Sequence, residues 1–194
     1  MEKKEIKKEL KELLSKDRYK HTVGVRYTAM CLGMKYEVDL DLCEMAGLLH
    51  DCGKAMSDKE KIEVCKKADI PISEAENKNP SLLHAKIGAY YALYKYDIDN
   101  PYIIDAIRYH TTGRPNMSLL EKIIFVADYI EPGRNMAPNL GVIRKIAFED
   151  LDVAVFLICR DTIDYVNERG LYLDEMTVKT MEFYKELCKY RLVL

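Results

Sequence analysis

The chain has 194 residues with a formal net charge of -2, 48 % apolar and 32 % charged residues, and only 9 Gly and 6 Pro. At roughly 150 residues per domain this length fits one compact unit with a sizeable core, and the composition excludes disordered and collagen-like chains. Balanced charge leaves no footprint for wide nucleic-acid contact, the start MEKKEIKKELKELL has no apolar signal core, and no run approaches the roughly 20 apolar residues of a membrane span, so a cytoplasmic protein with neither nucleic acid nor membrane as partner is expected.

Apolar spacing is helical from the beginning: Ile6, Leu10, Leu13 and Leu14 form the stripe of an N-terminal amphipathic helix. The first 20 residues hold eight Lys and Arg against five acids, but the acids interleave at i, i+4 spacing, which reads as a solvated outer face rather than a contact with an anionic surface. A second helix carries Val23, Tyr27, Met30, Cys31 and Met34. The run Met45-Ala46-Gly47-Leu48-Leu49 has two small residues, predicts close helix packing, and delivers His50 and Asp51 at its end. Ser57 with Glu60 and Ser118 with Glu121 are capping boxes that each open a helix. Between them Leu83, Ile87, Tyr90, Tyr91 and Tyr94 keep helical spacing, and after Ser118 the run Ile123-Ile124-Phe125-Val126-Ala127 ends on Asp128. Residues 136–169 read as buried helix with no functional signal, and Gly170 is a C-terminal stop. Turn chemistry breaks the chain at 36–39, 52–57, 70–80, 97–101, 112–118, 131–141 and 170–177, which leaves an all-α fold of eight or nine helices. The spacing of Tyr90, Tyr91, Tyr94 and Tyr96 assigns them to core and interface packing rather than to base stacking.

Six cysteines contain no C-x-x-C pair and read as reduced, mostly buried thiols. Cys52 follows His50-Asp51, where a thiolate can ligate a soft metal; a small residue filling a helix end is the preferred reading.

The chain has four histidines, His21, His50, His84 and His110. His50-Asp51 alone is weak evidence, since chance gives ~0.3 such pairs in a chain of this composition. Its context is stronger, because an imidazole and a carboxylate beside an apolar run are costly to bury unless a charged or hydrogen-bonding group meets them, and a metal ion meets both. Asp128 repeats the argument at the end of its own apolar run. Taken singly, Asp128 is equally a partner of Arg134 or a helix cap, His21 a surface histidine, and His84 and His110 satisfied core histidines. Cations stand beside these positions: Arg18 shares a helix face with His21, Lys54 follows Asp51 by three residues, and Arg134 follows Asp128 after a Pro-Gly turn. Together they favour a polyphosphate substrate.

The pattern His21, His50-Asp51, His84, His110 and Asp128 resembles the HD-domain superfamily of metal-dependent phosphohydrolases. Ala46-Gly47-Leu48-Leu49-His50-Asp51, Leu82-Leu83-His84, His110-Thr111-Thr112-Gly113 and Ala127-Asp128-Tyr129-Ile130-Glu131-Pro132-Gly133-Arg134 are similar to its YqeK-type subfamily, the bacterial symmetrical bis(5'-nucleosyl)-tetraphosphatases. The resemblance implies a single HD domain over 1–194, with the N-terminal amphipathic helix and a C-terminal helical extension. It implies a metal held by His21, His50, Asp51 and Asp128. Iron is the implied ion, while ligand softness also admits manganese, cobalt, nickel or zinc. His84 and His110 either complete a second site with Asp51 bridging, giving two ions, or face the phosphates beside one firmly held ion, which is the preferred arrangement. A bound metal lowers the pKa of a water enough to supply a hydroxide nucleophile.

The implied substrate is diadenosine tetraphosphate or a related dinucleotide, split into two nucleoside diphosphates. Asp51, Lys54, His84 and His110 are then expected to act at the reacting phosphates. Arg18, Thr111 and Arg134 are expected to bind the phosphate chain. The loop with Leu171, Tyr172, Asp174 and Met176 is expected to hold the nucleoside, with core packing of Tyr172 as the competing reading. Glu131 is read as an orienter of Arg134, and a homodimer is implied. The alternatives are a nucleotidase or phosphodiesterase on other nucleotides, or a metal-dependent ADP-binding sensor.

Overall fold

The structure is a computed structural model that describes residues 1–191. Among the described residues it contains eleven α-helices, one 3-10 turn and no strand. Helix α8 (Leu119–Ile130) is the axis of the bundle. It buries Leu120, Ile123, Ile124, Phe125, Val126, Ala127 and Ile130, and a helix apolar on nearly every side must be covered on nearly every side. Helices α2 (Lys16–Lys35), α3 (Leu40–Leu49), α7 (Pro101–Tyr109) and α10 (Leu151–Glu168) supply that cover. α6 (His84–Tyr94) packs on α7, and α11 (Glu175–Cys188) packs on α10.

The small residues expected to let α3 approach closely do so. A Cβ at Gly47 would stand 2.9 Å from the Cα of Arg26 in α2. Both expected capping boxes are formed, at Ser57 opening α4 (Asp58–Lys67) and at Ser118 opening α8. Gly170 follows α10 with φ +61°, a left-handed stop. Five cysteines are buried and Cys31 is exposed. Burial pushes the Cys52 thiol up to about 12, and its Sγ lies 3.6 Å from the Gly88 carbonyl, so it fills a helix end as a thiol.

The helix count exceeds the expected eight or nine for local reasons. The 70–80 stretch hides α5 (Glu74–Lys78), begun by a third capping box at Ser73, and the 3-10 turn Pro80–Leu83. The stretch 136–169 is two helices, because Asp150 caps α10 by accepting from the N–H of Asp152 and Val153 and so separates it from α9 (Leu140–Ile146). Tyr96 is fully buried in the core, whereas Tyr94 is 71 % exposed. No helix among the described residues is long and apolar enough to cross a membrane.

The basic N-terminal helix α1 (Lys3–Leu13) buries Ile6 and Leu10 and is tied to α3 by charge. Lys3 and Lys7 each donate to the Glu44 carboxylate at 2.7 Å. Burial pushes that carboxyl up, but the two lysines outweigh it and hold it at about 2. A carboxyl lowered on folding stabilises the fold above its unfolded pKa of 4.5 and loses that contribution as pH falls toward 2. Glu44→Gln is therefore expected to cost about 1 kcal/mol near pH 7, the lysines being partly solvent-screened, and the gap in urea midpoint between parent and variant should close as pH falls below about 4.

Candidate metal centre

Four helix ends and one helix face converge on a single buried spot. His50 and Asp51 leave the C-terminus of α3, His110 leaves α7, His84 joins the 3-10 turn to α6, Asp128 lies in the last turn of α8, and His21 projects from inside α2. Asp51 lies at the centre. Its Oδ2 is 3.5 Å from His50 Nε2 and 3.8 Å from His21 Nε2, and its Oδ1 is 3.2 Å from His84 Nε2 and 3.7 Å from His110 Nε2. Asp128 Oδ1 closes the first group from the far side, 2.9 Å from His21 Nε2 and 3.9 Å from His50 Nε2.

The orientation of the rings decides their chemistry. His50, His84 and His110 each place Nδ1 within 2.6 to 2.8 Å of the carbonyl three residues back, at Gly47, Ser81 and Ile107. A carbonyl only accepts, so each Nδ1 carries the proton and each Nε2 offers a lone pair to the centre. Burial pushes His50 and His84 down to about 4 despite the Asp51 charge beside them. Burial also opposes ionisation of Asp51, and positive charge or N–H donation from the His50, His110 and His84 side holds the carboxyl well below the usual range; with the Nε2 lone pairs turned inward, that positive charge would come from a bound cation. For His21, burial is outweighed in turn by Asp128, Glu131 and Asp51, and its pKa is raised.

The residues fit a divalent metal. The Nε2 atoms of His21 and His50 are buried with no hydrogen-bond partner, although carboxylate oxygens surround them, as is expected of atoms aimed at a common ion rather than at each other. His21, His50 and Asp51 present ligand atoms within 4.8 Å of one another, and so do Asp51, His84 and His110. His84 and His110 bring two Nε2 atoms to 3.0 Å, an arrangement that calls for a cation or a proton donor between them.

Residues 18–133 match the HD domain. The chain belongs to the HD-domain family. It is 38 % identical over 161 residues to a protein of Bacillus subtilis (strain 168) named bis(5'-nucleosyl)-tetraphosphatase, symmetrical, covering 83 % of this chain and 86 % of that one. A protein of the same name from Halalkalibacterium halodurans is 39 % identical, with 83 % and 85 % covered. A crystal structure described as a predicted HD superfamily hydrolase involved in NAD metabolism from Clostridium acetobutylicum superposes with a TM-score of 0.93 at 37 % identity, covering 96 % of this chain and 98 % of that one.

Around this HD-domain centre the expected cations are in place. Arg18 donates to Asp51 Oδ2 at 2.8 Å, and Arg134 turns back over the site to donate to Asp128 Oδ1 at 2.9 Å and to the Asp128 carbonyl at 3.1 Å. The salt bridge considered as an alternative role for Asp128 thus coexists with its place beside His21. Lys54 Nζ is 3.1 Å from His84 Nδ1, beside the bond that this nitrogen donates to the Ser81 carbonyl, and burial pulls the lysine pKa below its ordinary range. Thr111 Oγ1 lies 3.3 Å from His110 Nε2 and 3.4 Å from His84 Nε2.

From Thr111 a cavity of 140 Å³ runs outward past Lys86 and Arg108 to Ser73, Asp174 and Met176. Asp174 caps α11 through Met176 N–H and accepts from Ser73 Oγ at 3.4 Å, which joins the 171–176 loop to the α5 segment. Leu171 and Tyr172 lie outside the cavity lining and are half exposed, so Tyr172 is not a core residue. Lys86, Arg108 and Ser73 were not singled out in the sequence, where nothing separates them from ordinary surface residues.

One expectation is corrected. Glu131 does not orient Arg134; its Oε1 is 3.1 Å from His21 Nδ1 and its Oε2 accepts from Gly133 N–H at 2.6 Å. The guanidinium of Arg134 is held by Asp128 instead, because the turn at 132–133 carries it back along α8.

The loop after Asp51 also sets the position of His84. A Cβ at Gly53 would stand 2.5 Å from the His84 carbonyl and 3.1 Å from Gly88 N, both backbone atoms. Gly53→Ala must therefore push α6 off the centre, and it is expected to cost about 1–3 kcal/mol in urea denaturation.

Proposed function

We propose that this chain hydrolyses dinucleoside tetraphosphates, with diadenosine tetraphosphate as the reference substrate, by adding water across the central phosphoanhydride to give two nucleoside diphosphates. The water oxygen ends on one central phosphorus, and the bridging oxygen leaves with the other half. The observation that carries this reading is the convergence of His21, His50, Asp51 and Asp128, with two buried Nε2 atoms left without partners, inside a fringe of three cations. The similarity to the symmetrical bis(5'-nucleosyl)-tetraphosphatases of B. subtilis and H. halodurans supplies the substrate class.

His21, His50, Asp51 and Asp128 hold the ion, which when bound supplies an activated water and neutralises phosphate oxygens. Two imidazoles and two carboxylates make a donor set of borderline softness that suits iron, our preferred ion, and also manganese, cobalt, nickel or zinc. His84 and His110 face the phosphates or complete a second site through Asp51. Arg18 and Arg134 retain free N–H groups toward solvent and bind phosphate oxygens there, Arg134 with a planar fork suited to two of them. Lys54 lies on the His84 side of Asp51 and supplies positive charge to the departing diphosphate. Thr111 offers a hydroxyl to the phosphate chain, and the cavity beyond it leads toward Asp174 and Met176; these two, with Leu171 and Tyr172 exposed on the same loop outside the cavity, are our reading of the nucleoside-binding segment.

We take residues 1–194 as one HD unit. The tyrosine face of α6, with Tyr94 71 % exposed and the Tyr90 and Tyr94 rings 4.7 Å apart, supports its pairing as a homodimer.

The decisive experiment purifies the protein anaerobically, measures its bound metals, and incubates it with diadenosine tetraphosphate with and without a chelator. Two ADP per substrate, lost on chelation and reduced by about 10²-fold or more in Asp51→Asn, is the expected result. AMP plus ATP would place the cut elsewhere. Tight ADP binding with no product from any nucleotide would make the protein a sensor.

A further inference from the structure

His50, His84 and His110 are oriented by carbonyls at or beside helix C-termini, where main-chain acceptors are free. His21 has no such acceptor. It lies inside α2, where the carbonyls three and four residues back serve the helix's own ladder, so its Nδ1–H needs an acceptor from another element.

That acceptor is Glu131, the residue that ends α8. Its carboxylate is 4 % exposed, with Oε1 toward His21 Nδ1 and Oε2 toward the N–H of Gly133. The surrounding chain is cut to its shape. A Cβ at Gly24, one turn beyond His21 on α2, would stand 2.3 Å from Oε2, and one at Gly133 would stand 2.9 Å from Oε1. Both oxygens accept from N–H donors, which a carboxylate does and an amide cannot, since a glutamine presents one acceptor and one NH2.

We propose that Glu131 is a positioning residue for the metal: it holds the His21 ring with Nδ1 protonated and Nε2 directed at the ion, and its charge makes that imidazole a stronger ligand, while Gly24 leaves the space in which it does so. Carboxylate–histidine pairs of this kind typically change metal affinity about 10- to 100-fold. The inference rests on the metal reading above.

The test is competition between the protein and a chromophoric chelator for cobalt(II), run on folded protein well below the melting temperature of each metal-free variant. Glu131→Ala, Glu131→Gln and Gly24→Ala are each expected to weaken cobalt binding by about 10- to 100-fold. Gly24→Ala should cost little further in the Glu131→Ala background, because no carboxylate remains to displace. Folded variants that bind cobalt as tightly as the parent would overturn the proposal, even if their melting temperatures fall, since that is the signature of a merely structural role. An undiminished Gly24→Ala penalty in the double variant would also overturn it. A parent protein that takes up no divalent ion overturns the metal reading itself and this proposal with it.

Discussion

Two carboxylates delivered into a largely apolar interior by the ends of apolar helices set the terms for everything around them. Asp51 is 2 % exposed, and no apolar packing can offset an unpaired charge there. Around it α2, α3, α6 and α7 each bring an imidazole to within 4 Å of its two oxygens, an arrangement that leaves room for a cation to meet the charge. Arg18 pairs with the same carboxylate, and Arg134 with Asp128. The bundle geometry follows from this demand as much as from the core, because α3 and α8 must end side by side for the two carboxylates to face one another across His21 and His50.

The histidines at helix ends are turned to accept a cation rather than to neutralise the carboxylates themselves. His50 and His84 are pushed down by burial, and their Nδ1 protons are already given to carbonyls three residues back. A helix C-terminus leaves such carbonyls without partners, so a histidine placed there satisfies one of them and in the same contact turns its other nitrogen inward. Termination of the helix and the inward turn of Nε2 are one structural event at His50 and His110. His21 is the exception, and the departure from the pattern is what gives Glu131 its place.

The centre was legible in the sequence to the extent that its residues violated the apolar pattern around them. His50, Asp51 and Asp128 stand at the ends of runs that ought to be buried throughout, and Arg18 and Lys54 were found by their spacing from them. Glu131 was visible as an acid beside the site, but its partner was not: choosing between Arg134 and His21 depends on which way the chain turns after Pro132, a tertiary fact. The ring orientations were hidden because main-chain carbonyls leave no mark on residue identity. In the fold, the long amphipathic helices and two capping boxes were readable, whereas α5, the 3-10 turn and the break between α9 and α10 are shorter than the window over which periodicity can be judged. Lys86 and Arg108 line the cavity only because α6 and α7 lie side by side.

The charge balance at the centre bears on what it binds. Asp51, Asp128 and Glu131 are matched in number by Arg18, Lys54 and Arg134, so these groups alone give no net positive charge for a polyanion, and the chain as a whole carries -2. A divalent ion would tip this local balance to positive, at a buried spot where each charge counts for more than it would at the surface. Recognition of a phosphate chain is thereby coupled to possession of the metal. In the proposed binding mode Arg18 and Arg134 contribute through the N–H groups that their carboxylate pairs leave free, their side chains being 36 % and 41 % exposed. Both cations stay anchored by Asp51 and Asp128 before any substrate arrives, which spares the ordering cost of two long side chains when phosphate binds.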